Sequence, residues 1–144
     1  MTIYFDMDGT IVDLYGVENW LDKLLANDPA PYAVAAPLVR LCTLARVLNN
    51  LKRRGYKVGI VSWLSKNGNN EYNTVVTETK IKWINTHLSS VDFDEIKIVP
   101  YGTPKGSVVN DPSGILCDDE EKNRINWPGI AFDVNDIINV LKGL

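Results

Sequence analysis

At 144 residues, 45% of them hydrophobic and 23% charged, the chain has room for one domain with a substantial core and none for a second full domain. A formal charge of -3 argues against a general affinity for nucleic-acid backbone, and no apolar run approaches the length of a membrane span. The N-terminus lacks the basic flank and small-residue cleavage site of a secretory leader, so the expected compartment is the cytoplasm.

The first apolar run, Ile3-Tyr4-Phe5, reads as a central strand covered on both faces, and it runs directly into Asp6 and Asp8. Gly9 ends the strand there. From about 12 to 37 the chain reads as an insert carrying one short helix around Val17–Leu25, where Trp20, Leu21, Leu24 and Leu25 recur at helical spacing. A helix over about Leu38–Arg54 follows, with Leu38, Leu41, Cys42, Ala45, Leu48 and Leu51 on its apolar stripe and Gly55 as its left-handed stop. Cys42 and Cys117 both lie in apolar segments and read as buried small hydrophobes. Val58–Ser62 is the second predicted strand, Ser65–Asn73 a Gly/Asn-rich loop, and Thr77–Leu88 a helix with Ile81, Ile84 and Leu88 facing inward. His87, the one histidine, reads as a partner for that helix's C-terminal dipole. Ile96–Val99 and Gly114–Cys117 are the third and fourth strands, separated by a loop through Pro100–Gly106. Ile130–Phe132 is a short fifth strand, and a helix over about Val134–Leu141 follows it. Strands alternating with helices predict a three-layer α/β, Rossmann-like fold around a central, mainly parallel five-stranded sheet, with 1–144 as one domain.

In such a sheet, residues just past the carboxyl ends of the strands converge. The first strand delivers Asp6 and Asp8, the second Ser62, the loop after the third Lys105, and the fourth Asp118 and Asp119. Taken singly, each has a plain structural role: Ser62 as a strand-end cap, Lys105 as a solvated lysine, Asp118-Asp119 as the start of a helix. Together, four carboxylates, one cation and one hydroxyl suit a phosphate and a hard divalent ion such as Mg²⁺.

Asp6-Met7-Asp8-Gly9-Thr10 after an apolar strand resembles the first motif of the haloacid dehalogenase (HAD) superfamily of phosphohydrolases. Hydroxyl, lysine and acidic pair then follow in the order of that superfamily's motifs, so the resemblance spans essentially the whole chain. It implies that Asp6 is a nucleophile forming an aspartyl-phosphate and Asp8 the acid/base that serves the leaving oxygen. It further implies that Ser62 and Lys105 clamp the phosphate. Mg²⁺ is expected between Asp6, the backbone carbonyl of Asp8 and the acidic pair, with Asp119 a better direct ligand than Asp118. Two features depart from the pattern. Lys105 lies in a Pro-Lys-Gly setting, which leaves Lys80 and Lys82 as substitutes, and the insert is short, which implies a small-cap or capless type with an open site.

The expected activity is a Mg²⁺-dependent phosphatase acting on a small-molecule phosphomonoester, with a nucleoside monophosphate as the favoured example. Trp63, adjacent to Ser62, is the expected surface for a base, with Tyr101, Tyr15, Trp20 and Tyr32 as further aromatics near the mouth. One alternative is a nucleic-acid end phosphatase, which the acidic balance disfavours. Another is a non-catalytic phospho-ligand module, for which a retained Asp6 and Asp8 would serve no purpose. No membrane partner is expected, and nothing in the sequence specifies an oligomeric state.

Overall fold

The computed structural model describes residues 1–144. In chain order, strand β1 (Thr2–Phe5) is followed by a short antiparallel pair, β2 (Val12–Asp13) and β3 (Ala36–Pro37), that encloses helices α1 (Trp20–Leu25) and α2 (Ala30–Val34). Helix α3 (Leu41–Arg53), β4 (Lys57–Trp63), α4 (Asn70–His87) and β5 (Glu95–Val99) come next, then β6 (Ile115–Cys117), α5 (Glu121–Asn126), β7 (Ile130–Phe132) and α6 (Ile137–Lys142). The five longer-range strands form one all-parallel sheet in the order β5-β4-β1-β6-β7, the three-layer Rossmann-like arrangement that the alternation predicts. No helix is long and apolar enough to cross a membrane.

The period of two along each strand divides the core between the two faces. Ile3 and Phe5 of β1, Val58 and Ile60 of β4, and Ile115 and Cys117 of β6 pack with residues of α3, α4 and α6 in the larger cluster. Tyr4, Val61 and Leu116 point the other way and pack with Val109 and Trp127. Right-handed crossovers explain this division: β1 to β4 to β5 steps outward in one direction, which puts α3 and α4 on one face. The passage from β5 to β6 jumps back across β1 and must cover the other. That second face is closed by the segment between β5 and β6 and by Trp127 at the end of α5, without a long helix. The strand order therefore reverses between β1 and β6, where the crevice for a ligand opens in a doubly wound sheet.

The helices differ from the sequence expectation mainly at their starts. Helix α4 begins at Asn70, inside the predicted loop, because the Asn69 side chain accepts the Tyr72 backbone N–H at 2.8 Å and caps the first turn, an interaction of about 1 kcal/mol. Helix α3 starts at Leu41, since Leu38 instead donates its backbone N–H to the Ile11 carbonyl at 2.9 Å and extends the small ribbon. Cys42 is exposed on α3, against the expectation of burial, because the buried stripe is Leu44, Val47, Leu48 and Leu51; Cys117 is buried on β6. His87, the last residue of α4, stacks on Trp83 with ring centroids 4.1 Å apart.

The insert holds a second short helix beyond the one expected. Asp28 Oδ1 accepts the Ala30 N–H at 2.9 Å and Pro31 occupies the first turn, where its missing donor costs nothing, so α2 forms in a stretch for which the sequence predicted no helix. Leu14 and Tyr32 of the insert pack with Leu64, Tyr72 and Val76, and Tyr72 Oη donates to the Asp28 carbonyl at 3.1 Å. Trp83 Nε1 donates to the Ala35 carbonyl at 2.9 Å. These contacts fasten the insert to α4 beside the carboxyl end of the sheet.

Candidate active site

Register sets the first pair of carboxylates. Phe5 on β1 lies opposite Cys117 on β6, and the Asp6 N–H donates to the Cys117 carbonyl at 3.0 Å, so Asp6 and Asp118 leave adjacent strands side by side. Both are buried, at the point where the strand order reverses. Lys105, buried in a 3₁₀ turn after β5, reaches between them: its Nζ lies 2.9 Å from Asp6 Oδ1 and 2.6 Å from Asp118 Oδ2. Those two contacts occupy two of its three protons and leave the third for a ligand.

Thr10 Oγ1 lies 3.3 Å from both Asp6 Oδ2 and Asp119 Oδ1, and accepts the Asp119 N–H at 3.3 Å. Gly9 allows this approach. Its φ is +83°, and a Cβ at that position would lie 2.3 Å from Asp119 Oδ2. Asp118 has both oxygens engaged, by Lys105, by the Glu120 N–H at 2.9 Å and by Asn123 Nδ2 at 3.1 Å. Asp119, by contrast, lines the cleft.

On the other side of Asp6, Lys80 is 1% exposed and its Nζ meets Asp8 Oδ2 at 2.7 Å, Ser62 Oγ at 3.0 Å and the Trp63 carbonyl at 2.8 Å. Ser62 accepts from Lys80, so its own O–H remains available as a donor into the cleft that it lines. Asp8 Oδ1 is buried without a partner.

Burial, the nearby charge of Asp6 and that of Asp118 push the Asp119 carboxyl up to about 7. Burial and Asp6 likewise raise Asp118 to about 6 against the pull of Lys105. Asp8 is raised by burial and by Asp6, with Lys80 pulling the other way. Burial draws the Lys105 ammonium down, but Asp6 and Asp118 together outweigh it and the net direction is up. The carboxylates are thus more crowded than the cations present can compensate.

All the sequence-predicted residues, Asp6, Asp8, Ser62, Trp63, Lys105, Asp118 and Asp119, stand around one point. Lys82 does not, since it is exposed on the far side of α4. Lys80 enters alongside Lys105 and not in its place, while Thr10 and Asn123 were not singled out. Thr10 was visible as the last residue of the first motif. Lys80 carried a subtler signal, falling four residues after Val76 and four before Ile84 on the buried stripe of α4.

A cleft of about 240 Å³ opens above these groups. Leu14, Tyr15, Trp20, Leu21, Leu24 and Tyr32 of the insert line it on one side, with Trp63, Leu64, Lys66 and Tyr101 from beyond β4 and β5 also in its lining. Trp63 and Tyr101 pair at 4.9 Å between ring centroids, and Trp63 Nε1 donates to the Thr103 carbonyl at 2.7 Å. Tyr15 and Trp20 form a second pair at 5.0 Å. Half-buried Trp20 is therefore part of the cleft wall as well as of a helix stripe.

Asp6, Asp118 and Asp119 each offer an oxygen, and all three lie within 4.8 Å of one another. An all-oxygen donor set with unneutralised charge fits a hard divalent cation and lacks the Cys or His that zinc favours. The sign of the pH dependence follows. With carboxyls at about 6 and 7 in the folded protein against about 4 unfolded, the metal-free fold holds more protons than the unfolded chain across that interval. The unfolding free energy therefore falls as pH rises; the contribution is fully present below about pH 4 and is lost through about pH 7. A divalent cation held at the cluster would substitute for those protons, so Mg²⁺ should raise the Tm more at about pH 8 than at about pH 5. Thermal melts with and without Mg²⁺ at the two pH values measure this; equal shifts, or none, would count against a cation at the cluster.

No family model matches the chain, and no curated protein matches its sequence. Among solved structures, the chain is similar to one chain of the Pnkp1/Rnl/Hen1 complex, at 18% identity and a TM-score of 0.58. The match covers 93% of this chain and 45% of that one, so the present chain spans less than half of that neighbour's length. At this identity the likeness is one of fold, and it agrees with the three-layer α/β architecture.

Proposed function

We propose that the chain is a phosphohydrolase of the HAD type, a Mg²⁺-dependent phosphatase acting on a small-molecule phosphomonoester. The observation that carries this reading is the meeting of Asp6 and Asp8 with Ser62, Lys105 and the Asp118–Asp119 pair at the carboxyl end of β1. Two carboxylates beside a lysine with a spare proton and a hydroxyl with a spare proton provide a nucleophile, an acid and an anion clamp at one place. Asp6, Asp118, Asp119 and the Asp8 backbone carbonyl would hold the metal, whose bound charge lowers the repulsion between a carboxylate nucleophile and a phosphoryl group.

Lys105 and Ser62 hold the phosphoryl oxygens, and a carboxylate oxygen of Asp6 forms a bond to phosphorus as the ester bond breaks. The electron pair of that bond goes to the leaving oxygen, which takes the proton from Asp8 and departs as an alcohol. Water then gives a proton to Asp8 and its oxygen to phosphorus, and the Asp6–phosphorus bond breaks to return the carboxylate and release phosphate. Tyr15, Trp20 and Leu21 of the insert line one side of the cleft in which these steps take place.

The apolar, aromatic outer half of the cleft favours a leaving group with a flat face, and a nucleoside monophosphate places its base against Trp63 and Tyr101. Stacking contributes about 1–3 kcal/mol per base in nucleic-acid binders. A screen of phosphomonoesters with Mg²⁺, with Zn²⁺ and with excess chelator is the test. Mg²⁺-dependent release of phosphate is expected, and full activity in chelator would sink the metal-dependent reading. Within that screen, Trp63→Ala should lower kcat/KM about ten-fold for a nucleoside monophosphate and much less for a sugar phosphate. Equal losses would remove base stacking from the proposal.

A further inference from the structure

The two buried lysines differ in what they leave free. Lys105 spends two protons on Asp6 and Asp118 and lines the cleft, so a ligand can reach it. Lys80 spends all three, on Asp8 Oδ2, Ser62 Oγ and the Trp63 carbonyl, and its Nζ lies 5.1 Å from the centroid of the Tyr32 ring. At 1% exposure it does not line the cleft. It has no proton left to offer a substrate.

A lysine buried this deeply costs several kcal/mol of desolvation unless its partners are well placed, and burying it under a site that already has a cation requires a reason. The reason lies in Asp8. Its Oδ2 is tied down by the ammonium at 2.7 Å, while its Oδ1 is buried without any partner. An orphaned buried carboxylate oxygen is rare in folded proteins, and with Oδ1 unpaired the orientation of the Asp8 carboxyl depends on what holds Oδ2. The same ammonium holds Ser62 Oγ and the end of β4, so the acid and one arm of the clamp share a single anchor.

We infer that Lys80 is a positioning residue that locks the Asp8 carboxyl by one oxygen and so aims the acid at the leaving oxygen of the substrate. The inference rests on the acid role proposed for Asp8 and adds to it the residue that aims it. When the phosphorus–oxygen bond breaks, the proton passes from the Asp8 carboxyl to the leaving oxygen, and the carboxylate left behind keeps its ion pair with Lys80. An acid aimed this way serves esters of ordinary alcohols, whose alkoxides leave poorly. It is of little use to phenolic esters, which leave without a proton.

That difference supplies the test. The parent, Lys80→Met, Lys80→Gln and Asp8→Asn are assayed with Mg²⁺ on an alkyl phosphate and on p-nitrophenyl phosphate, with the folded fraction of each measured by circular dichroism. Positioned general acids contribute about 100-fold or more, so Lys80→Met and Lys80→Gln should each lose about 100-fold on the alkyl ester and no more than about ten-fold on the aryl ester. Asp8→Asn should show the same selective loss. In the Asp8→Asn background, adding Lys80→Gln should produce no further change in the ratio. A purely structural lysine would lower both substrates equally, and equal losses in a folded Lys80 variant overturn the inference. If neither Lys80 variant folds, the decision passes to Lys80→Arg, which keeps the charge but not the ammonium geometry: a selective loss on the alkyl ester upholds the inference, and equal losses or none overturn it, as do equal losses in Asp8→Asn. An inactive parent overturns the proposed function along with this inference, whereas an active parent with equal losses overturns the inference alone.

Discussion

Asp6→Asn should lower turnover of any phosphomonoester substrate by at least about 10⁴-fold, since an amide cannot form the aspartyl-phosphate of the proposed mechanism and nucleophile removal is among the largest single losses in enzymes. The fold should survive. An asparagine still offers an oxygen to Thr10 Oγ1, and Lys105 keeps its 2.6 Å contact with Asp118. Removing the Asp6 charge also relieves the repulsion that helps hold Asp118 and Asp119 above their ordinary range. The metal-free variant should therefore melt no lower than the parent, and its Tm should respond less to Mg²⁺ because the cluster has lost one ligand. Steady-state kinetics and thermal melts read the two halves separately. A variant that hydrolyses substrate at near the parental rate would end the nucleophile assignment.

Lys105→Ala should be the most damaging change to stability and activity together. It strips the cation from two buried carboxylates at 2.9 and 2.6 Å, and breaking such a pair from one side costs about 3–5 kcal/mol out of a total of about 5–15. It also removes the donor with a free proton facing the cleft. On an aryl phosphate, Lys105→Ala should lose more activity than Lys80→Ala, because in the proposed mechanism only Lys105 holds the phosphoryl group. Mg²⁺ in excess should restore part of the Tm, through the charge that it brings to Asp6 and Asp118, without restoring turnover. The opposite ranking of the two lysines would move the clamp to α4.

The parallel sheet and its five strands were legible because buried strands write themselves as short apolar runs, and each of these runs ends at or beside its observed strand end. The convergence of Asp6, Ser62, Lys105, Asp118 and Asp119 followed from the same fact, since a parallel sheet brings all its strand ends to one edge whatever the intervening sequence. Helix starts were less legible. Asn69 capping α4 and Asp28 supporting α2 are single side-chain bonds inside stretches whose composition reads as loop.

Three features had to wait for the tertiary structure. Cys42 is exposed because the buried face of α3 is rotated relative to the stripe read from the sequence, toward Leu44 and Val47, and only packing against the sheet sets that rotation. Thr10 bridges Asp6 and Asp119 because Gly9 turns the chain with a positive φ and leaves no Cβ in the way of the second carboxylate. Lys80 is the clearest case. Sequence placed a lysine on a helix, where a solvated face is the ordinary outcome, and only the docking of α4 against β4 carries its ammonium to Asp8, Ser62 and the Trp63 carbonyl. Local pattern decides which elements form and which strand ends carry acid, because those depend on neighbours in the chain. The partner of each buried charge depends on distances between elements, across 72 residues for Lys80 and Asp8 and 99 for Lys105 and Asp6, and those distances exist only once the sheet has assembled.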